Sequence, residues 1–159
     1  MQIIINIKCS TFEKNEIMNA VITGGTKGIG RAIAEKLAHK GFNLCICSRN
    51  EDDLQATKEA LNTINTAIKT YTYKADLGIK SQTLDFANYC LRSFEKIDVL
   101  INNAGLYIGG AVVDEEEGAL EKMIETNLYS AYNLTRKLLP NMIDNKSGYI
   151  INMASIASF

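Results

Sequence analysis

Three spaced glycines, Gly24, Gly28 and Gly30, mark the part of the sequence best suited to bind a phosphate group. The segment Thr23-Gly24-Gly25-Thr26-Lys27-Gly28-Ile29-Gly30 follows a short apolar run and precedes a helical pattern that continues from Arg31. Glycines let a backbone turn tightly and approach a pyrophosphate, and a helix N-terminus offers free N–H groups at the positive end of its dipole. The segment therefore predicts a nucleotide-binding loop, with a plain glycine turn between a strand and a helix as the alternative.

A phosphoryl-transfer P-loop is a poor match for the same segment. Gly25 and Gly30 have the required four-residue gap, but Arg31-Ala32 stands where that motif needs lysine followed by serine or threonine. The loop therefore lacks the main anchor of a phosphoryl-transfer enzyme.

The end of the second apolar run bears on which dinucleotide is bound. A unit that binds NAD carries an acidic residue there, about 20 residues past the glycines, which binds the adenosine ribose. Ser48 stands at that place and Arg49 follows it. Arginine can grip a 2′-phosphate with charge-assisted hydrogen bonds, and Lys27 adds a second cation within reach. These residues predict NADP(H) as the cofactor. In the alternative interpretation, Arg49 pairs with one of the acids that open the next helix, which are Glu51, Asp52 and Asp53.

Short apolar runs alternate with helical patterns along the chain, which predicts an α/β fold with a parallel sheet covered on both faces. Strands are expected near 19–23, 43–48, 69–74, 97–102 and 148–153, and helices near 28–41, 51–65, 79–95 and 117–143. Spacing in the last helix predicts one apolar face, which suits either core packing or a dimer. Its members are Leu120, Ile124, Leu128, Ala131, Leu134 and Leu138.

Composition limits the partners that the chain can have. Its 159 residues suit one domain of roughly 100–200 residues. The 17 Lys+Arg and 18 Asp+Glu leave a net charge of −1, which gives no basic field for nucleic acid or an anionic membrane surface. No segment has the roughly 18 apolar residues of a membrane span. The sequence therefore predicts a cytoplasmic protein with a small-molecule ligand and neither a nucleic-acid nor a membrane partner.

The cysteines predict no metal site. No two of Cys9, Cys45, Cys47 and Cys90 have the two-residue gap of a zinc or thioredoxin-type motif. Cys45 and Cys47 lie two apart in an apolar run, where a strand would put both on one buried face. We expect reduced thiols in the core.

Together these motifs resemble those of the classical short-chain dehydrogenases/reductases. Thr23, Gly24, Gly28 and Gly30 match that family's Thr-Gly-x-x-x-Gly-x-Gly pattern, and the resemblance extends over residues 18–159. It implies a Rossmann-type, doubly wound parallel sheet. It also implies NADP(H)-dependent hydride transfer between nicotinamide and a carbonyl or alcohol substrate, and a homodimer or homotetramer for a full-length member.

The resemblance implies two further cofactor contacts. Asp76 and Leu77 match the family's acidic-apolar pair beside the adenine ring. Asn103, Ala104 and Gly105 belong to an Asn-Asn-Ala-Gly motif whose small residues let the chain pass close to the cofactor. Without the family, these segments would be a cap and a strand-ending turn.

The family's catalytic set is a tyrosine, a lysine four residues later, a serine that binds the substrate oxygen, and an asparagine that holds a water linked to the lysine. Asn127 and Ser155 match the asparagine and the serine, although Ser158 stands where many members have glycine. A helix cap or kink and a strand end are the alternative interpretations. None of the seven tyrosines has a lysine four positions later; only Tyr132 is followed there by a cation, Arg136.

These observations lead to the expectation of an incomplete reductase, truncated after its fifth strand and inactive by itself. Strand 148–153 would then be an open, aggregation-prone edge. Residues 1–17 are interpreted as an N-terminal extension, with Met18 as a possible natural start. The alternative function is a non-catalytic nucleotide-binding or interaction module. A methyltransferase fits less well, because it would want an acid where Ser48 and Arg49 stand.

Overall fold

Strands and helices alternate as the sequence predicts. The computed structural model describes residues 17–154 and the backbone of residues 5–6. The strands are β1 (Ile5–Asn6), β2 (Asn19–Thr23), β3 (Asn43–Ser48), β4 (Thr70–Lys74), β5 (Val99–Asn102) and β6 (Tyr149–Asn152). The helices are α1 (Gly28–His39), α2 (Glu51–Ile64), α3 (Lys80–Ser93), α4 (Ala119–Ile124) and α5 (Ser130–Asp144). A 3₁₀ turn at Val112–Asp114 precedes α4, and a π-helical turn at Glu125–Tyr129 joins α4 to α5.

The order of the strands creates a crevice at the carboxyl ends of the central strands. The order is β1-β6-β5-β2-β3-β4, and β2 to β6 all run parallel. The chain moves outward from β2 through β3 to β4 and then crosses to β5 on the other side of β2. In open α/β sheets, ligands bind beyond the carboxyl ends of the strands at such a reversal. This topology confirms the predicted Rossmann-type, doubly wound sheet.

The expectation of an open edge at the last strand is wrong for half of β6. The short strand β1 pairs antiparallel with it, Ile5 opposite Ile150 and Asn6 opposite Tyr149. The remainder of the proposed extension, residues 1–4 and 7–16, lies outside the described residues. Ile151, beyond the paired half, is 39% exposed.

Alternating side chains divide the core into two layers. Val21, Cys45 and Cys47 pack with α3 and α5, whereas Ala20 and Ile22 pack with α1 and α2 on the other face. This is the period of two that a strand imposes, and it puts both strand cysteines on one buried face, as predicted. No helix within residues 17–154 is long and apolar enough to cross a bilayer.

The prediction of one apolar face on the last helix is wrong. Leu134 and Leu138 are fully buried, but Leu120 and Leu128 are 54% and 61% exposed. A π-helical turn takes one residue more than an α-helical turn, so the residues after it are rotated relative to those before it. Residues that share a face of an ideal helix are thereby separated into a core set and a surface set.

This division predicts different costs for two identical substitutions. Leu138→Ala should lower the free energy of unfolding by about 2–5 kcal/mol, because it opens a cavity under α5. Leu128→Ala should change it by less than about 0.5 kcal/mol, because that side chain is exposed. Urea denaturation of the 159-residue chain measures both values. Equal losses would contradict the rotation of the helix at the π-helical turn.

Candidate functional site

A groove lies beyond the carboxyl ends of β2, β3, β4 and β5. Its volume is about 290 Å³. The predicted residues that line it come from four separate segments of the chain. They are Gly24, Thr26, Lys27, Ser48, Arg49, Asp76, Leu77, Asn103, Ala104 and Gly105. The fold therefore assembles residues about 80 positions apart in sequence into one wall, at the crevice that the strand order creates.

The glycine loop packs tightly against the neighbouring strands. The backbone N–H groups of Gly24 and Gly25 donate to the Cys47 carbonyl oxygen at 3.1 and 3.4 Å. Gly24 has a φ of +64°, and a Cβ there would lie 3.2 Å from the Ala104 Cα. A Cβ on Gly30 would overlap the Gly24 carbonyl oxygen and the Asn103 amide nitrogen. The glycines are thus needed for the loop to pack on the end of β3 and on the segment after β5.

Other members of the predicted loop do not line the groove. Gly25 and Gly30 are buried behind it, and a Cβ on Gly25 would lie 3.0 Å from the Ile46 side chain. Gly28 and Ile29 are exposed at the start of α1. Gly28 has a φ of +53°, a conformation that glycine adopts without strain.

Two side chains hold the loop to the segment after β5. The Thr23 hydroxyl accepts hydrogen bonds from the backbone N–H groups of Asn103 and Ala104 at 2.8 and 2.9 Å, and donates to the Ile101 carbonyl at 3.4 Å. The Asn103 amide donates to the carbonyl oxygens of Thr23 and Gly24 at 3.0 and 3.1 Å. Asn103 therefore positions the glycine loop with its side chain while its backbone lies at the groove.

The two helices that begin beside the groove differ in charge at their N-termini. The first turn of α1 has no acidic residue, and Lys27 at its N-cap makes no side-chain capping bond. In α2, Asn50 Oδ1 accepts from the Asp53 N–H at 2.9 Å, and three acids occupy the first turn. The positive end of the α1 dipole is therefore left for an anion from outside the helix.

The cations at the groove have different partners. Lys27 Nζ lies 2.6 Å from Asp53 Oδ2. Arg49 is exposed on the wall of the groove and forms neither an ion pair nor a side-chain hydrogen bond within the described part of the chain. The alternative pairing of Arg49 with the acids of α2 is therefore not formed, and Lys27 takes one of those acids instead.

Ser48 contributes a hydroxyl beside these cations. Its oxygen accepts from the Thr26 hydroxyl at 3.1 Å and from the Asn50 N–H at 3.4 Å. Since both contacts use the oxygen as acceptor, the Ser48 proton remains to be donated to a ligand.

The carboxylate of the acidic residue after β4 already accepts a hydrogen bond within the protein. Asp76 Oδ1 accepts from the Gly78 N–H at 3.0 Å, so the carboxylate caps the turn that leads to α3, as the alternative interpretation has it. Leu77 is buried beside it and still lines the groove. Only the part of the Asp76 carboxylate that this hydrogen bond leaves free can bind a ligand.

The two predicted catalytic residues differ in what the structure says of them. Asn127 lies in the π-helical turn, where its Oδ1 accepts from the Leu106 N–H at 2.6 Å and its Nδ2 donates to the Leu106 carbonyl at 2.8 Å. Its side-chain amide therefore fixes the backbone that follows the Asn103–Gly105 segment. Ser155 lies outside the described residues.

Four lining residues were missed from sequence: Cys47, Ala75, Leu106 and Thr126. Each directly adjoins a predicted residue, and that adjacency was the available signal. Burial raises the pKa of the Cys47 thiol well above its usual value, so the thiol stays neutral and does not act as a nucleophile.

Known proteins are similar to this chain in sequence and in fold. A family model described as short chain dehydrogenase matches residues 18–159. An uncharacterized oxidoreductase of Staphylococcus epidermidis is 32% identical over 140 residues, which cover 88% of this chain and 59% of the relative. The chain therefore spans less than two thirds of that relative's length.

Solved structures of oxidoreductases have a similar fold. A metagenomic short-chain oxidoreductase in complex with NADP is 32% identical, with a TM-score of 0.81 over 87% of this chain and 62% of that one. A short-chain dehydrogenase from Sphingobium yanoikuyae in complex with NADPH is 27% identical, with a TM-score of 0.82 over 90% and 55% of the two chains.

The tie between β2 and the segment after β5 can be tested with two threonines. Thr23→Val should lower the free energy of unfolding by about 1 kcal/mol, because it leaves two half-buried backbone N–H groups without their acceptor. Thr70 is the matched control, since it is also buried in a strand but its hydroxyl has no hydrogen-bond partner among the described residues. Thr70→Val should be neutral or slightly stabilising. Urea denaturation compares the two, and an equal effect would contradict the tie.

Proposed function

The chain belongs to the short-chain dehydrogenase family, and from that premise we propose that its groove binds NADP(H). The whole protein would then transfer hydride between the nicotinamide and a carbonyl or alcohol substrate. The observation that carries the proposal is the end of β3, where Ser48 and an unpaired Arg49 stand at the groove in place of a carboxylate.

The 2′-phosphate of NADP(H) suits the groups at this end of the groove. Arg49 is free to form two parallel charge-assisted hydrogen bonds, and the Ser48 hydroxyl has a proton to donate. Lys27 is within the same wall and adds a point charge. A carboxylate at Ser48 would instead repel the phosphate and favour NAD(H).

The pyrophosphate suits the glycine loop. Gly24 lines the groove without a side chain, so a ligand can approach the backbone there, and Gly30 lets the loop pack on itself behind the groove. The start of α1 supplies N–H groups and a positive dipole end with no acid beside it. Asp76 and Leu77 form the part of the wall that we assign to the adenine ring.

NADP(H), when bound, supplies or accepts the hydride. Among the family's protein groups, Ser155 is proposed to hydrogen-bond the substrate oxygen. Asn127 is proposed to act as a positioning residue, because both ends of its amide are bonded to the Leu106 backbone at the groove. One N–H of Nδ2, one lone pair of Oδ1 and the backbone carbonyl are left over by these two bonds, and the water assigned to this position from sequence would bind to one of them.

For the whole protein we expect a cytoplasmic homodimer or homotetramer that acts on a small molecule. The exposed apolar side chains of α4, the π-helical turn and α5 support an association surface, because Leu120, Leu128 and Tyr132 are each more than half exposed.

The choice of cofactor predicts the effect of removing Arg49. Arg49→Ala should weaken NADPH binding about tenfold or more, because it removes a charge-assisted contact with the phosphate, and should leave NADH binding nearly unchanged. Titrations of the 159-residue chain with each dinucleotide measure both constants. The matched control is Arg92→Ala, since Arg92 is exposed in the last turn of α3 and does not line the groove.

Two results would contradict this assignment. Equal affinity of the unsubstituted chain for NADPH and NADH would remove the NADP(H) preference. An equal loss in Arg49→Ala and Arg92→Ala would attribute the effect to net charge rather than to a contact.

The missing tyrosine–lysine pair predicts that the 159-residue chain binds cofactor without turnover. None of its tyrosines is followed by lysine at the fourth position, so its sequence lacks the family's pairing of a phenol with an ammonium that moves the substrate proton. We expect no NADPH oxidation above background with ketone or aldehyde substrates in an absorbance assay. A rate on the order of 1–10³ per second would overturn the prediction.

The alternative function, a non-catalytic nucleotide-binding module, predicts a different coding sequence. A Tyr-x-x-x-Lys segment encoded just past Phe159 in any of the three frames would favour a reductase. A stop with no such segment beyond it would favour a module that keeps the nucleotide and has lost the chemistry.

A further inference from the structure

We propose that Asp53 tunes the selectivity for a 2′-phosphorylated dinucleotide by competing with the phosphate for Lys27. The inference rests on the proposed binding of NADP(H), and it assigns a role to a residue that does not itself line the groove. Asp53 would act as a specificity-determining residue through Lys27 and through its own negative charge.

The ion pair connects the glycine loop with the helix that follows β3. Lys27 precedes α1, and Asp53 is the third residue of α2. The distance from Lys27 Nζ to Asp53 Oδ2 is 2.6 Å, and the two side chains are 76% and 29% exposed. The ammonium that should help to bind the phosphate is therefore already beside an anion of the protein itself.

Binding of the phosphate requires that this contact be shared or exchanged. An ammonium has three donors, but they lie on one compact point charge. A phosphate that approaches Lys27 must either take the place of the carboxylate or accept repulsion from a carboxylate that stays near it. NAD(H) has no 2′-phosphate, so the same carboxylate has little effect on its binding. Asp53 thereby lowers the affinity for one dinucleotide selectively.

The neighbouring acids provide an internal comparison. Glu51 and Asp52 belong to the same first turn and contribute to the same helix dipole, but both are exposed and neither forms an ion pair within residues 17–154. The Asp53 N–H is held by the Asn50 cap, which fixes the start of its side chain relative to the loop. Position, rather than charge alone, distinguishes Asp53.

The test measures dissociation constants of the 159-residue chain for NADPH and NADH by fluorescence titration at low salt. Asp53→Asn keeps the size of the side chain and removes its charge. We expect NADPH to bind about two- to fivefold more tightly to this variant, as suits a pair whose ammonium is largely exposed, with NADH unchanged. Glu51→Gln is the control for charge and should give a clearly smaller gain. In a Lys27→Met background the gain from Asp53→Asn should shrink, because the competition for the ammonium is gone.

Two other outcomes would overturn the inference, and a third would overturn the proposed function. Weaker NADPH binding by Asp53→Asn would overturn the inference and make Asp53 a residue that holds Lys27 ready for the phosphate. Equal gains in Asp53→Asn and Glu51→Gln would also overturn it, since general charge would then explain both. If the unsubstituted chain binds neither dinucleotide, or both equally, the proposed function fails, and that failure is visible before any variant is measured.

Discussion

The groove depends on one polar tie between two strands that are far apart in sequence. The Thr23 hydroxyl at the end of β2 accepts from the backbone of Asn103 and Ala104 after β5, and the Asn103 amide returns to the carbonyls of Thr23 and Gly24. These strands flank the reversal of the sheet. Because the Thr23 hydroxyl is buried and must find partners within the protein, these bonds hold the two segments in a single arrangement. The glycine loop packs on that arrangement, and the wall of the groove follows from it.

Charge is distributed unevenly around this frame. One helix begins without an acid or a side-chain cap, and the other begins with a cap and three carboxylates. A phosphate is therefore attracted to the start of α1 and to Arg49, but meets acidic side chains at the start of α2. Lys27 stands between the two, paired with Asp53. The proposed preference for a phosphorylated ligand would result from this balance and not from a count of basic residues.

The elements and most of the groove could be predicted from the sequence. Strand and helix positions follow from apolar periodicity, and the lining residues Gly24, Ser48 and Asp76 follow from motifs placed at strand ends. The exposure of the apolar residues in the last helix could not be predicted, because the π-helical turn rotates the residues after it relative to those before it. No local sequence pattern indicates that turn. The pairing of β1 with β6 was also missed, since a two-residue strand leaves no periodic pattern.

The sequence by itself determined the alternation of strands and helices, the glycine loop, and the absence of a carboxylate where Ser48 and Arg49 stand. Those features depend on residue type and on local spacing, which are readable along one chain. Only the tertiary structure decided that Lys27 rather than Arg49 pairs with an acid of α2, and that Asn127 binds the backbone of Leu106. The physical reason is distance in space, because the packing of the segments decides which partners meet. Sequence separation does not indicate which of several nearby acids or amides comes within hydrogen-bonding distance.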